Sequence, residues 1–330
     1  MKAAFIEQTG GPENIIYGDL PDPSPGAGEV LVRVGAASVN PIDTYVRGGL
    51  VAAELPVPFV VGSDFAGTVE AVGEGVTHWQ PGDNVWGANQ GGHGRQGTAA
   101  ELACVGAEWL HATPEGISDE EAAAIALVGI TAHIGLVLKA GVQEGETVFV
   151  NGGAGGVGST VVQIAKASGA RVIATAGSDA RVAKASELGA DEVINYQTED
   201  VAARVKALAP QGVNVLWETR RETDLDWAVS LLAQRGRLIV MAGREARPVL
   251  PVGPLYVKDC SVHGFAMFNY PAAEQRQCGD DLNRWLAEAK LHANIDRVLP
   301  LSETAEAHRL QEANTIGLAG TLAGKIVLKP

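Results

Sequence analysis

One segment, Val148-Phe-Val-Asn-Gly-Gly-Ala-Gly-Gly-Val-Gly-Ser159, limits what this chain can become more than any other. An apolar run enters it as a strand, a glycine cluster turns the chain, and Val157 to Ser168 leaves it with helical periodicity before Gly169 closes the helix. Within the turn, Gly153, Gly155 and Gly158 satisfy the G-x-G-x-x-G spacing. Each glycine answers a steric need: a tight turn, room for backbone to approach a pyrophosphate, and close packing of helix on strand. The helix start, around Gly156, Val157 and Gly158, then offers N–H groups and the positive end of its dipole to an anion. A glycine-rich turn that holds nothing is the competing reading, and the strand before and helix after it argue against that.

The surrounding texture predicts a doubly wound parallel sheet. Strands are expected at Val148 to Asn151, at Arg171 to Thr175, near Val193, near Val213 and at Arg237 to Val240, alternating with helices at Ala180 to Leu188 and around Leu225 to Leu232. Such alternation gives an α/β sheet buried under helices on both faces. Ahead of it, short apolar stretches at Val30 to Ala37, Gly67 to Val72 and Thr98 to Val105 lie between glycines and prolines and read as an all-β region. Ser118-Asp-Glu-Glu121 has the shape of a capping box and opens an alanine-rich helix toward Leu138. A helix at Asp280 to Lys290, another near Thr304 to Glu312, and a strand at Gly324 to Lys329 follow. Because a single core stops growing near about 250 to 300 residues, a chain of 330 predicts two domains.

Charge and cysteine usage remove several function classes. A formal charge of −14, from 39 acidic against 25 basic residues, repels a phosphate backbone, so nucleic-acid binding is not expected. Cys104, Cys260 and Cys278 are too few and too scattered for a disulfide framework or a metal knuckle, and fit a reducing cytoplasm. No uncharged apolar run reaches the roughly 18 residues that cross a bilayer, and Met1 to Gly11 has no apolar signal core, so neither membrane insertion nor export is expected.

The choice of nicotinamide cofactor falls where the second strand ends, since an acid there accepts from a ribose 2′-hydroxyl and repels a 2′-phosphate. Thr175-Ala-Gly-Ser178 has no acid, and Asp179 falls in the first turn of a helix that Ser178 would cap. Ser178 could bond a 2′-phosphate and Arg181 could neutralise it, which predicts NADPH. A capped helix with a solvated arginine is the alternative.

The motifs Ser38-Val-Asn-Pro-Ile-Asp-Thr-Tyr45, Gly62-Ser-Asp-Phe-Ala-Gly-Thr-Val-Glu-Ala-Val-Gly73, Pro81-Gly-Asp83, Gly155-Gly-Val-Gly158, Glu187-Leu-Gly-Ala-Asp191, Val193-Ile-Asn-Tyr196 and the ending Gly324-Lys-Ile-Val-Leu328 are individually soft, but in this order they are specific. Over nearly its whole length the chain resembles the medium-chain dehydrogenase/reductase superfamily, in its zinc-independent quinone oxidoreductase branch, which includes zeta-crystallin. The resemblance implies a GroES-like β-rich catalytic domain over residues 1–126 and 272–330, wrapped around an inserted Rossmann NADPH-binding domain over 127–271, with the active site in the cleft between. It also implies a homodimer built partly by pairing edge strands of the nucleotide domains. Zinc-dependent relatives carry a cysteine near position 40, Gly-His-Glu where this chain has Gly62-Ser-Asp64, and a four-cysteine lobe in the stretch Val85 to Gly97; none of those ligands is present, and no metal is expected. Cys260 with His263, or His93 in its glycine-rich loop, makes no better site.

Carried over residue by residue, the resemblance implies Asn40 and Tyr45 as cleft residues and Thr131 as a cofactor contact. Ser178, Arg181 and Tyr196 would surround the adenosine phosphate; Gly243 and Arg244, in the segment after a later strand, and Phe268, in the stretch passing the nicotinamide, would be further cofactor contacts. Plain packing competes for Thr131, Tyr196 and Phe268, and a structural aromatic for Tyr45. The chain departs from the family at Glu218-Thr-Arg-Arg-Glu222, where a small glycine turn is usual and a solvated charged turn is the simplest expectation.

The chemistry implied is delivery of hydride from NADPH to a quinone or similar conjugated carbonyl, with the Tyr45 hydroxyl or Asn40 amide stabilising the oxyanion that forms. An alcohol oxidation would need a strong Lewis acid or base, and none is evident. Reduction of an enoyl thioester or an α,β-unsaturated ketone shares the fold and hydride delivery. A non-catalytic NADPH-binding or RNA-associated protein is the rival of another class, and the net acidity argues against RNA.

Overall fold

The computed structural model describes residues 1–51 and 54–330. It divides into two compact units, one of Met1–Ile130, Tyr270–Glu288 and His292–Pro330, the other of Thr131–Asn269 and Ala289–Leu291.

The second unit is built on six parallel strands lying in the order Glu192–Asn195, Arg171–Ala176, Thr147–Val150, Val213–Glu218, Leu232–Val240, Ser261–Gly264. Counted along the chain this is 3-2-1-4-5-6, so the order reverses between Thr147–Val150 and Val213–Glu218. In an open parallel sheet, ligands bind outside the carboxyl ends of the strands at such a reversal. Val148, Phe149, Val150, Val172, Ile173, Val215 and Leu216 have no exposure, which is why these strands read as continuous apolar runs and not as alternating ones. Each such side chain contributes about 1.5–3 kcal/mol by leaving water.

In the first unit, a seven-stranded sheet runs Ile295–Pro300, Lys325–Lys329, Glu29–Val39, Asp64–Val72, Asn84–Gly87, Leu110–Ala112, with Leu102–Gly106 also paired to Glu29–Val39. A three-stranded sheet orders Ile16–Asp19, Lys2–Ile6 and Phe59–Val60. Along Glu29–Val39 the side chains of Val30, Val32 and Val34 are buried while Arg33 is exposed, the period of two that a one-sided sheet requires. The strand Lys325–Lys329 lies antiparallel to it, with Ile326 opposite Val39. Residues from the two ends of the sequence therefore meet in one core.

Several elements depart from expectation for identifiable reasons. The strand expected from Thr98 starts at Leu102, because Thr98 commits its buried hydroxyl to the Asp64 carbonyl and Ala100 forms only an isolated bridge. The helix expected from Asp280 begins at Ala272, with Gln275 and Cys278 extending its buried face among polar neighbours that mask the periodicity. The strand expected from Arg237 begins at Leu232 and slips register around Arg235, which has φ +59°. Helices Pro41–Arg47, Val201–Leu208 and Val252–Val257 were not expected. The alanine-rich helix runs Asp119–His133 behind the Ser118–Glu121 capping box and continues as a π-helical stretch, Ile134–Lys139. These 21 residues are apolar enough to cross a membrane, but 83% of the most apolar window is buried inside the protein, as expected of a core helix apolar on all sides.

Candidate active site

Strand Thr147–Val150 delivers the chain to the glycine turn at the point where strand order reverses. Helix Gly156–Ala167 starts from Gly155 in an extended conformation, φ −78° and ψ 173°, with no side chain capping it. Its first-turn amides, on Gly156, Val157 and Gly158, have no acceptor within the helix and none from a cap. Gly158 packs so closely that a Cβ there would lie 2.0 Å from the Gly152 carbonyl oxygen, a backbone atom that could not yield without moving the turn. Gly153 is buried against Ala174, and Gly155 is exposed at the open side of the turn. This uncapped start, behind a turn of glycines and the buried Ala154, suits a diphosphate.

The end of strand Arg171–Ala176 assembles a second group. Ser178 caps helix Asp179–Glu187, its Oγ accepting from the Arg181 amide at 3.4 Å. Asp179 takes the first helical position and accepts from Asn195 Nδ2 at 2.9 Å. Tyr196 is 47% exposed, and its hydroxyl lies over Gly177, where a Cβ would come within 2.1 Å of it. Ser178, the Arg181 backbone and the Tyr196 hydroxyl are thus brought together at this strand end. Elsewhere, Gly243 turns at φ +71° against the Arg221 carbonyl, and Arg244 is exposed. Phe268 is half-buried in the short Met267–Asn269 turn, and Thr131 is buried in helix Asp119–His133.

Glu218 corrects the expectation of a solvated turn: it has no exposure and accepts hydrogen bonds from Asn151 Nδ2 and from the Arg220 backbone and guanidinium. Its burial follows from position, since it is the last residue of a central strand and not the first of a loop.

In the other unit, helix Pro41–Arg47 presents a half-buried Tyr45, with Pro41 at its first turn and Asp43 accepting from the Asn40 amide at 2.8 Å. Asn40 is completely buried and its side chain is committed: Nδ2 donates to Asp64 Oδ2 at 3.0 Å and to the Ser38 carbonyl at 3.4 Å, while Oδ1 accepts from Lys325 Nζ. Lys325 also donates to the Val39 carbonyl at 3.0 Å and lies 3.9 Å from Asp64. Asp43 accepts from the Ser63 hydroxyl, and Asp64 accepts from Ser38 Oγ at 2.9 Å.

Two carboxylates and one ammonium are therefore sealed together. Burial, reinforced by the neighbouring Asp64, raises Asp43 to about 7. Burial also raises Asp64, with Lys325 opposing, and lowers Lys325, with both carboxylates opposing. Sequence reasoning singled out Asn40 and missed Asp43, Asp64 and Lys325 as its partners. Among the described residues, no group of three or more His, Cys, Asp or Glu side chains is placed to hold a metal ion. The cation beside Asn40 and Asp64 is the chain's own ammonium.

Two family models match the chain: an alcohol dehydrogenase GroES-like domain over residues 26–115 and a zinc-binding dehydrogenase over residues 156–284. The quinone oxidoreductase of Homo sapiens is 31% identical over 99% of this chain and 97% of its own length. Among solved structures, one described as an NAD-dependent alcohol dehydrogenase is 35% identical with a TM-score of 0.89, covering 100% of both chains. The Escherichia coli quinone oxidoreductase complexed with NADPH is 27% identical with a TM-score of 0.86, also covering 100% of both.

Proposed function

This chain belongs to the quinone oxidoreductase branch of the medium-chain dehydrogenase/reductase superfamily, and from that premise we propose that it is an NADPH-dependent reductase of quinones or similar conjugated carbonyls that works without a metal ion. The observation that carries the reading is the uncapped helix start at Gly156, seated where strand order reverses and packed through Gly158. When bound, NADPH supplies a hydride from its dihydronicotinamide. Gly156, Val157 and Gly158 hold the diphosphate with backbone amides. Ser178 and Tyr196 offer hydroxyls, and Arg181 a positive charge, to the 2′-phosphate.

On the acceptor side, a quinone or enone oxygen becomes an oxyanion as hydride arrives, and the Tyr45 hydroxyl donates to it, a contribution of about 3 kcal/mol in comparable sites. Asn40 serves differently. With each polar atom of its amide engaged, it anchors the start of the helix that carries Tyr45. No metal is assigned because the Lys325 ammonium already sits beside Asp64 and Asn40, and a quinone is electrophilic enough to take hydride without a Lewis acid.

A homodimer forms through the strand Ser261–Gly264, which ends the parallel sheet; Val262 on this strand and Val252, Tyr256 and Val257 on the helix Val252–Val257 that precedes it in the chain are exposed apolar residues of the kind that subunit contact covers. The neighbour described as NAD-dependent favours a second reading in which NADH replaces NADPH. One experiment separates these: dissociation constants for both cofactors, followed by turnover with a panel of quinones, enones and crotonyl thioester. Tighter NADPH with fastest turnover on quinones supports the proposal. Tighter NADH, or turnover confined to the thioester, replaces it.

A further inference from the structure

We propose that Glu218 is a positioning residue for the dinucleotide, its carboxylate bracing the end of strand Val213–Glu218 against the turn that leaves strand Thr147–Val150. The inference rests on the reading of this mouth as an NADPH site. The register between the two strands ends at Val150 opposite Trp217, the Asn151 backbone N–H still donates to the Trp217 carbonyl at 2.9 Å, and beyond that bond side chains take over. Asn151 Nδ2 donates to both carboxylate oxygens of Glu218, at 3.0 and 3.1 Å. Asn151 Oδ1 accepts from Thr175 Oγ1 at 2.8 Å, and that same hydroxyl accepts from the Gly152 amide at 2.9 Å. Thr219 adds a bond from its hydroxyl to the Asn151 carbonyl at 2.6 Å.

The chain of bonds has a single polarity: Gly152 amide to Thr175 hydroxyl, Thr175 hydroxyl to Asn151 carbonyl oxygen, Asn151 amide to carboxylate. Because Thr175 fixes which end of the Asn151 amide is the acceptor, only an acceptor at position 218 completes it. Bonds that terminate on a charge are the stronger ones, and linked bonds polarise one another in a dry site. The far side of Glu218 is equally determined. Arg220 donates its backbone N–H to Oε1 at 2.8 Å, and Nε and Nη2 to Oε2 at 3.0 and 2.8 Å, while its guanidinium stacks 4.4 Å over Trp227.

One buried carboxylate thus reaches the first glycine of the diphosphate turn through side chains from three adjacent strand ends. A brace meant only for the sheet would act within the ladder; this one acts just past it, where the turn springs. Its loss should therefore appear in cofactor binding before it appears in chemistry.

The test compares three variants of the full chain with wild type: Glu218→Gln, Thr175→Val, and the double substitution Asn151→Asp with Glu218→Gln, which rebuilds the pair with donor and acceptor exchanged. NADPH dissociation constants come from cofactor fluorescence, and kcat and KM from NADPH oxidation with 1,4-benzoquinone. Glu218→Gln should raise Kd and KM for NADPH about tenfold while kcat falls by no more than about threefold. Thr175→Val, which cuts the chain without touching the charge, should act in the same direction, and the double variant should return Kd to within about threefold of wild type. An unchanged Kd in Glu218→Gln overturns the proposal, as does a double variant no better than the single one. If Glu218→Gln does not fold, Thr175→Val alone decides, an unchanged Kd again overturning it. Wild type that binds no NADPH overturns the underlying cofactor reading instead.

Discussion

Replacing Lys325 by methionine probes the sealed cluster around Asn40 most sharply. The substitution keeps the length and apolar body of the side chain but removes the ammonium that contacts the Asn40 Oδ1, the Val39 carbonyl and, at 3.9 Å, Asp64. Breaking a buried pair by deleting one partner costs about 3–5 kcal/mol, because the remaining charge stays buried and uncompensated. Two orphaned carbonyl acceptors add to that loss at about 1 kcal/mol each. We therefore expect Lys325→Met to lose about 4 kcal/mol or more at pH 8, read as a lower urea midpoint by circular dichroism.

The sign of the pH dependence follows from the same geometry. Without the ammonium, Asp64 rises further above its ordinary range, so the folded variant takes up a proton as the medium is acidified and its deficit shrinks. Adding Asp64→Asn to Lys325→Met should restore more than half of the loss, since the carboxylate paired with the lost ammonium is then removed with it. A deficit below about 1 kcal/mol that does not vary with pH would refute the reasoning.

Other perturbations give independent checks. Asp43, held at about 7 in the fold against 3.8 in a flexible chain, binds its proton more tightly when folded. It therefore contributes stability below about pH 4 that is lost as pH rises toward 7, and the stability of Asp43→Asn relative to wild type should improve across that window by about 1.4 kcal/mol per pH unit. Gly158→Ala should abolish measurable NADPH binding, because its Cβ would sit 2.0 Å from the Gly152 carbonyl oxygen; retained affinity would show that the helix start is not the diphosphate seat. Arg181→Ala should weaken NADPH about tenfold while leaving NADH unaffected, and equal losses for both would place the guanidinium away from the 2′-phosphate. Tyr45→Phe should slow turnover about a hundredfold at unchanged NADPH affinity; kinetics equal to wild type with several acceptors would remove its hydroxyl from the mechanism.

What the sequence disclosed depended on whether the determining interactions were local. The glycine turn was legible because Gly153, Gly155 and Gly158 state a steric requirement within six residues, and the flanking strand and helix do the same by periodicity. The capping box at Ser118 and Glu121 was legible for the same reason. Lys325 was not. It reads as one more polar residue at the start of a strand, and its partners Asn40 and Asp64 lie at the other end of the chain, brought to it only by the pairing of Lys325–Lys329 with Glu29–Val39. Glu218 was noticed as anomalous but assigned to solvent, because a cluster of charges after a strand looks like a loop; the Asn151 that draws it inward is 67 positions away. Helix Ala272–Ala287 was seen only in its second half, where Leu282, Trp285 and Leu286 show the period that Gln275 conceals.

The measurement that bears most directly on the central claim is NADPH consumption with 1,4-benzoquinone by protein exhaustively treated with a chelator, followed by absorbance. The expected result is undiminished turnover, one NADPH oxidised per quinone reduced, and its loss in Gly158→Ala. No turnover with any quinone while NADPH is bound, or activity that disappears on chelation and returns with a divalent metal, would contradict the account.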